Sequence, residues 1–236
     1  MTIKKEKSEA DLSEEAFEWI KGNHKLVIEK FVDSSLHVVD SKPVTLFMAG
    51  SPGAGKSEIA IRLAEKFKAK PVIIDADEIR KICKGYTGSN AHIFQKAASR
   101  GVHILYEYVL KNNLNVILDG TFAYTEWQRN IERSIKRGRK VELYYVYQEP
   151  IEAWNFTKAR EVMENRRVSK EVFIKAFIKS RENANEAKKY FGDKLEMHLI
   201  IKNNSNHIER FELNIANIDY FIKKQYDINE LKSIII

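Results

Sequence analysis

Gly50-Ser51-Pro52-Gly53-Ala54-Gly55-Lys56-Ser57 follows directly on the apolar run Val44-Thr45-Leu46-Phe47-Met48-Ala49. The eight residues have the pattern G-x-x-x-x-G-K-S, and the residues after them, from Glu58 to about Lys68, favour a helix. Glycines let the backbone N–H groups of such a loop point inward at a phosphate, and the helix adds the positive end of its dipole. The strand–loop–helix order therefore predicts a nucleoside triphosphate site built by all eight residues, rather than a glycine-rich turn without a ligand.

Two residues of this loop and one distant carboxylate are candidates for holding the phosphates and a metal ion. Lys56 would reach the β- and γ-phosphates, and the Ser57 hydroxyl would bind Mg²⁺. Asp119 ends a second apolar run, Asn115-Val116-Ile117-Leu118-Asp119, where a carboxylate can also hold Mg²⁺. The alternative is that Asp119 only caps the segment that follows it.

The composition of the whole chain limits the classes of protein to which it can belong. Its 236 residues are 44% hydrophobic and 31% charged, with a net charge of +7, which predicts one sizeable domain and a preference for anionic ligands. Cys83 is the only cysteine, so an internal disulfide and a cysteine-based zinc cluster are excluded. No run of about 18 apolar residues is present, and the first residues are charged. We therefore expect a cytoplasmic protein with no secretory signal and no membrane partner.

From Val44 onward, short apolar runs alternate with segments of helical pattern, which is typical of an α/β fold with a parallel sheet between helices. The runs predict about five strands, at 44–49, 71–75, 115–119, 141–147 and 196–201. We predict a P-loop NTPase domain over residues 41–203. Residues 1–40 are predicted to form an N-terminal helical extension, broken at Gly22-Asn23, and residues 204–236 a C-terminal appendage of unknown role.

The second predicted strand runs into Asp75-Ala76-Asp77-Glu78-Ile79-Arg80, at the edge of the sheet where ligands of open α/β folds bind. A carboxylate at this place can orient an attacking hydroxyl and accept its proton late in the reaction, and we assign this role to Asp77. The alternative is structural: a helix N-cap, with an Asp77–Arg80 pair one turn apart. Both interpretations can hold together, with Asp75 as the cap and Asp77 as the reactive group.

Arg160, Arg166 and Arg167 flank the polar break Met163-Glu164-Asn165 between two predicted helices. A planar guanidinium stabilises the negative charge on a transferring phosphoryl group, which makes these arginines catalytic candidates. Solvated arginines at helix ends are the alternative, in a chain with 40 lysines and arginines. A further basic run over residues 129–140 is interpreted as a solvated helix face, so we expect no nucleic acid partner.

The ordered combination of these motifs over roughly residues 23–203 resembles the zeta toxin family. The runs Ala-Gly-Ser-Pro-Gly-Ala-Gly-Lys-Ser at 49–57 and Val-Ile-Ile-Asp-Ala-Asp at 72–77 are especially similar to that family. The resemblance implies a kinase that phosphorylates the amino-sugar 3′-hydroxyl of UDP-N-acetylglucosamine, with ATP or GTP and Mg²⁺ as cofactors, and an antitoxin protein as a partner. It implies that Asp77 is the catalytic base, that Thr121 contacts the substrate, and that Arg160 and one of Arg166 and Arg167 stabilise charge.

The chain departs from the family pattern on the side of the acceptor. His103 stands where the toxins carry a substrate-binding glutamate, Ala123 replaces an arginine, and Asp119 replaces a strand-ending glutamate. The residues predicted to bind the substrate are Asp77, Arg80, His103 and Thr121.

The phosphate-transfer residues look retained and the sugar-binding residues altered. We therefore predict a kinase acting on a hydroxyl of a small molecule, with UDP-N-acetylglucosamine or a related nucleotide sugar as the leading acceptor. Two alternatives stay open. One is the same fold with a polynucleotide 5′-hydroxyl or an antibiotic as acceptor, and the other is a nucleotide-dependent binding module without kinase activity.

Overall fold

The computed structural model describes residues 7–236, and its centre is a sheet of six strands in the order β2-β3-β1-β4-β5-β6. The strands are β1 Val44–Ala49, β2 Val72–Asp75, β3 Val116–Asp119, β4 Lys140–Tyr147, β5 Glu196–Lys202 and β6 Ile208–Glu212. The first five are parallel to their neighbours, and β6 pairs antiparallel with β5. The predicted α/β class is confirmed, with a sixth strand that the sequence analysis did not predict.

Helices cover both faces of the sheet. They are α1 Glu9–Gly22, α2 His24–Phe31, α3 Lys56–Glu65, α4 Ala76–Lys81, α5 Gln95–Lys111, α6 Trp127–Ile135, α7 Pro150–Glu164, α8 Lys170–Phe191 and α9 Ile228–Ile234. Because successive side chains of a strand point to opposite faces, β1 sends Phe47 into one apolar cluster and Leu46 and Met48 into another. All three side chains are almost completely buried, and each contributes about 1.5–3 kcal/mol of burial free energy. Burial on both faces explains why the strands read as continuous apolar runs.

The N-terminal helical segment breaks where the sequence predicts, because Asn23 follows α1 and precedes α2. Ser8 caps α1 through a capping box with Asp11. Ile20 and Val27 are fully buried, so this segment packs on the body of the protein. Residues 1–6 of the predicted extension lie outside the described residues.

The C-terminal stretch after residue 203 contributes to the same sheet and the same core. Strand β6 extends the sheet, and Ile218, Leu231 and Ile235 are buried in the larger apolar cluster. Strand β6 was missed because its sequence, Ile-Glu-Arg-Phe-Glu, is short, charged and exposed, as is common for an edge strand. The division into units 1–40, 41–203 and 204–236 stays a prediction. Within residues 7–236, no helix is long and apolar enough to cross a membrane.

Candidate active site

The glycine-rich loop joins β1, in the middle of the sheet, to the first turn of α3. After β1 the chain continues to β2 on one side of the sheet, and after the neighbouring strand β4 it continues to β5 on the other side. Open α/β sheets bind ligands at such a reversal of strand order. Gly53 has a φ of +75°, and a Cβ at this residue would lie 1.9 Å from the carbonyl oxygen of Ala153 in α7. Only glycine therefore lets the loop lie this close to α7.

The loop opens into a cavity of about 470 Å³ that collects most of the predicted site residues. Those in its wall are Pro52, Gly53, Gly55, Lys56, Ser57, Asp77, Asp119, Thr121, Arg160 and Arg166. They come from the ends of three neighbouring parallel strands and from α7 and the connection that follows it.

The remaining predicted residues lie outside this wall. Gly50, Ser51 and Ala54 are buried residues of the loop itself, and Arg80 is buried and contacts Asp77. His103 is exposed on α5. The Arg167 side chain is 75% exposed and lies near Glu161 of α7. Of the two adjacent arginines, the structure thus brings Arg166 to the cavity.

Lys56 is buried at the base of the cavity. Its Nζ donates to the carbonyl oxygen of Ser51, at 2.6 Å, within its own loop. Burial lowers the pKa of Lys56 to about 8, and the nearby Asp119 carboxylate opposes this shift. An ammonium that loses this much hydration favours an anionic ligand, because a phosphate oxygen would replace the missing water.

Asp75 and Asp119 are paired across the parallel strands β2 and β3. Burial raises the pKa of Asp75 to about 7, with a further contribution from the neighbouring Asp77. Asp75 also caps α4, because its Oδ1 accepts from the backbone N–H of Asp77 at 2.8 Å. Asp75 is therefore the predicted helix cap, and the predicted pair between Asp77 and Arg80 is present as well.

Asp77 is held by two arginines from different parts of the chain. Its Oδ1 accepts from Arg80 Nη1, one turn along α4, and its Oδ2 lies 2.5 Å from Arg166 Nη1. Arg80 also donates through Nη2 to Gln95 Oε1 at the start of α5. Sequence reasoning missed Gln95, because no motif marks an exposed glutamine that lies next to a distant helix.

The segment that carries Arg160 and Arg166 closes one side of the cavity. Arg160 pairs with Glu164 at 2.9 Å, and hydrogen bonding to this carboxylate raises the pKa of Arg160. Asn165 ends α7 with a φ of +53°, and its Nδ2 donates to the carbonyl oxygen of Thr87 at 3.1 Å. A Cβ at Gly88 would lie 2.7 Å from the Asn165 carbonyl oxygen, so the loop after α4 supports this segment directly.

Ser57 and Asp119 both line the cavity and could hold a divalent cation. They offer a hydroxyl and a carboxylate oxygen, the hard ligands that Mg²⁺ binds in combination with water and substrate phosphates. The residues present therefore fit the predicted metal.

A second group of residues at the cavity wall was not predicted from the sequence. Glu58 and Asn206 line the end of the cavity next to Gly55. Lys202 lies beside them at the end of β5, where inspection of every strand end could have found it.

The family model of the Zeta toxin matches residues 29–215. The chain belongs to the zeta toxin family. It therefore has the P-loop, kinase-like fold of that family, as predicted, and the match extends from α2 to the residues just after β6. No curated protein sequence matches the chain significantly.

Solved structures of similar fold agree with this family membership. One belongs to the PezAT chromosomal toxin–antitoxin system of Streptococcus pneumoniae, with a TM-score of 0.62 and 14% identity over 97% of this chain and 90% of that one. Another is the AvrRxo1-ORF1:AvrRxo1-ORF2 complex, with a TM-score of 0.60 and 16% identity over 89% of this chain and 70% of that one. At these identities the likeness shows the fold alone.

Proposed function

We propose that this protein is a kinase that transfers the γ-phosphate of ATP or GTP to a hydroxyl of a small molecule. The observation that carries the proposal is the meeting of Lys56, Asp77, Arg160 and Arg166 in the wall of one cavity. An ammonium, a carboxylate and two guanidinium groups around a phosphate loop supply what phosphoryl transfer needs: charge neutralisation and a partner for the attacking hydroxyl. The AvrRxo1-ORF1:-ORF2 complex, which shares the fold, has been solved with ATP.

Each residue has a role that follows from its place in the cavity. The loop N–H groups and Lys56 bind the phosphates, and Arg160 and Arg166 neutralise the charge that spreads over the transferring group. Asp77 orients the acceptor hydroxyl and takes its proton as the new O–P bond forms. The bond between the γ-phosphorus and the β,γ-bridging oxygen breaks in the same transfer, and ADP or GDP leaves. Mg²⁺, held by Ser57 and Asp119, would supply charge neutralisation at the phosphates when bound.

Nucleotide binding releases one oxygen of Asp77 from its ion pair. Without a ligand, both of its oxygens are engaged by Arg80 and Arg166. A triphosphate carries more negative charge than one carboxylate, so it competes for Arg166 and leaves Oδ2 available to the hydroxyl. We therefore expect the nucleotide to bind before the acceptor.

The leading acceptor is UDP-N-acetylglucosamine or a related nucleotide sugar, on the strength of family membership. Thr121 lies in the cavity wall, where it can contact such an acceptor, whereas His103 lies outside that wall. An antitoxin partner is proposed on the same basis, because the PezAT structure comes from a toxin–antitoxin system. The cytoplasmic location and the absence of a nucleic acid partner stay predictions from the sequence.

The test is phosphoryl transfer from Mg·ATP and Mg·GTP, followed by mass spectrometry of the acceptor. UDP-N-acetylglucosamine, related nucleotide sugars and a 5′-hydroxyl oligonucleotide form the acceptor panel, with Lys56→Ala and Asp77→Asn as inactive controls. A phosphorylated nucleotide sugar that both variants fail to produce would support the proposal. Nucleotide binding without transfer to any acceptor would favour the binding module instead, and transfer to the oligonucleotide would change the substrate class.

A further inference from the structure

The turn between β5 and β6 brings an asparagine to the cavity from a distant part of the chain. Asn203 and His207 close the turn through a backbone hydrogen bond of 2.9 Å, and Asn206 adopts a φ of +64° within it. Asn206 consequently lines the cavity together with Gly55 and Glu58. The phosphate loop and this turn lie at the same edge of the sheet, beyond the carboxyl ends of β1 and β5.

Three polar side chains form a connected group at this end of the cavity. Lys202, which is only 3% exposed, donates through Nζ to Glu58 Oε2 at 3.1 Å. Asn206 Nδ2 donates to the same oxygen at 3.3 Å. A Cβ at Gly55 would lie 2.2 Å from Lys202 Nζ and 3.3 Å from Asn206 Oδ1, so the group lies against the phosphate loop itself.

One acceptor of this group lacks a hydrogen-bond donor. Asn206 Oδ1 is buried, and no donor in the described part of the chain reaches it. A buried polar atom without a partner costs about 1–3 kcal/mol, so such atoms in folded proteins usually indicate a missing ligand or water. Asn206 itself lines the cavity, and a rotation of its side chain on ligand binding would bring this unsatisfied oxygen to a donor there.

The chemistry of the group favours the nucleoside over the phosphates as the source of that donor. An ionised phosphate oxygen only accepts hydrogen bonds, and the Glu58 carboxylate would repel it. Ribose hydroxyls and the N–H groups of a purine can donate to both Asn206 Oδ1 and Glu58. We infer that Asn206 and Glu58, supported by Lys202, bind the nucleoside part of the triphosphate. This inference rests on the proposed function and adds the residues that would recognise the nucleotide beyond its phosphates.

The experiment measures binding by isothermal titration calorimetry with four probes: Mg·ATP, Mg·GTP, Mg·2′-deoxyATP and Mg·tripolyphosphate, which has no nucleoside. The variant is Asn206→Gly, because glycine tolerates the positive φ of this residue while the amide is removed. The matched control is Asn204→Gly, an exposed asparagine of the same turn. Thermal unfolding of each variant shows whether it is folded.

The expected result is a rise of about tenfold in the Kd of Asn206→Gly for nucleotides, which corresponds to one lost hydrogen bond to the ligand, with the Kd for tripolyphosphate unchanged. Asn204→Gly should bind all four probes like the wild type. A smaller effect on 2′-deoxyATP than on ATP would assign the donor to the ribose 2′-hydroxyl, and different effects on ATP and GTP would assign it to the base.

Two results would overturn the inference. In the first, Asn206→Gly binds every nucleotide as the wild type does, although Lys56→Ala weakens binding more than about tenfold. The nucleotide site is then real and Asn206 has no part in it. In the second, Asn206→Gly weakens tripolyphosphate as much as ATP, which would mean that the turn only supports the loop. Failure of the wild type to bind any probe would overturn the proposed function as well.

Discussion

Arg166 Nη1 lies 2.5 Å from Asp77 Oδ2, and this ion pair joins the candidate catalytic base to the segment between α7 and α8. Both side chains are largely shielded from solvent, with exposed fractions of 27% and 19%. A pair at this depth is screened less than a surface ion pair, so it stabilises the position of the segment over the cavity. The same contact occupies the Asp77 oxygen that a substrate hydroxyl would need. The position of Arg166 therefore decides whether Asp77 can accept a proton from that hydroxyl.

The two adjacent arginines provide a matched pair of variants. We expect Arg166→Ala to lower kcat by about 10²–10³-fold, because a charge-stabilising guanidinium is lost from the cavity. Arg167→Ala should change kcat less than about threefold, since its side chain is 75% exposed and outside the wall. Steady-state phosphoryl transfer at saturating nucleotide measures both. Equal losses in the two variants would contradict the assignment.

Asp77→Asn separates binding from chemistry. The amide cannot take the proton of the acceptor hydroxyl, so we expect phosphoryl transfer to fall by at least about 10²-fold. The Kd of Mg·ATP should stay within about threefold of the wild type or decrease, since Arg166 no longer has to leave a carboxylate. Single-turnover transfer and calorimetric titration of the nucleotide give the two values. Retained transfer in this variant would argue against a role for Asp77 as the base.

Lys56→Ala should weaken nucleotide binding strongly while the fold is kept. The Lys56 ammonium is buried and makes one hydrogen bond, to its own loop, so its removal deprives a phosphate of its main cationic partner. We expect the Kd of Mg·ATP to rise by more than about tenfold, or 1.4 kcal/mol. The control is Lys66→Ala, an exposed lysine at the other end of α3. A similar Kd in both variants would count against the predicted site.

The raised pKa of Asp75 predicts how stability depends on pH. Below pH 4 the carboxyl is neutral in both the folded and the unfolded chain, so it costs nothing. As the pH rises from about 4 to 7, the unfolded chain releases the proton and the folded chain keeps it, and stability falls. Asp75→Asn keeps an N-cap acceptor for α4 but has no ionisable group, so this loss of stability with rising pH disappears.

We therefore expect Asp75→Asn to be more stable than the wild type by about 1–3 kcal/mol at pH 8, and similar to it near pH 4. Urea unfolding at several pH values in EDTA measures the difference. Asp193→Asn, an exposed aspartate, is the control and should follow the wild-type curve. Parallel curves for the wild type and Asp75→Asn would contradict the shifted pKa.

Two glycines of similar conformation test the packing of the loop on α7. Gly53 and Gly138 have φ values of +75° and +67°, so alanine at either residue meets the same backbone strain, about 1 kcal/mol. A Cβ at Gly53 also clashes with the Ala153 carbonyl oxygen, whereas one at Gly138 has nothing within 4 Å. Gly53→Ala should therefore lose about 1–3 kcal/mol more unfolding free energy than Gly138→Ala in urea titrations. Equal losses would show that the loop relaxes away from α7.

The α/β class, the phosphate loop and the carboxylates at the ends of β2 and β3 could all be predicted from the amino-acid sequence. These features depend on short stretches of sequence. A run of apolar residues predicts a buried strand, and the last side chain of each parallel strand lies at the same edge of the sheet, where ligands bind. Asp75, Asp77 and Asp119 therefore came to the same cavity edge as expected. The helix break at Gly22-Asn23 likewise depends on a short stretch of sequence.

Three features depend on the folded chain as a whole: which arginine faces the cavity, the contact of Arg166 with Asp77, and the contact of Asn206 with Glu58 across 148 positions. Adjacent residues in an irregular segment have no fixed period, so their directions depend on what the segment packs against, here the loop at Thr87 and Gly88. Strand β6 could not be predicted from the pattern of apolar residues either, because its place in the sheet comes from hydrogen bonds to β5 rather than from burial of its own side chains. Contacts between segments that are distant in sequence arise from the way the whole chain folds, so they cannot be predicted from the spacing of residues.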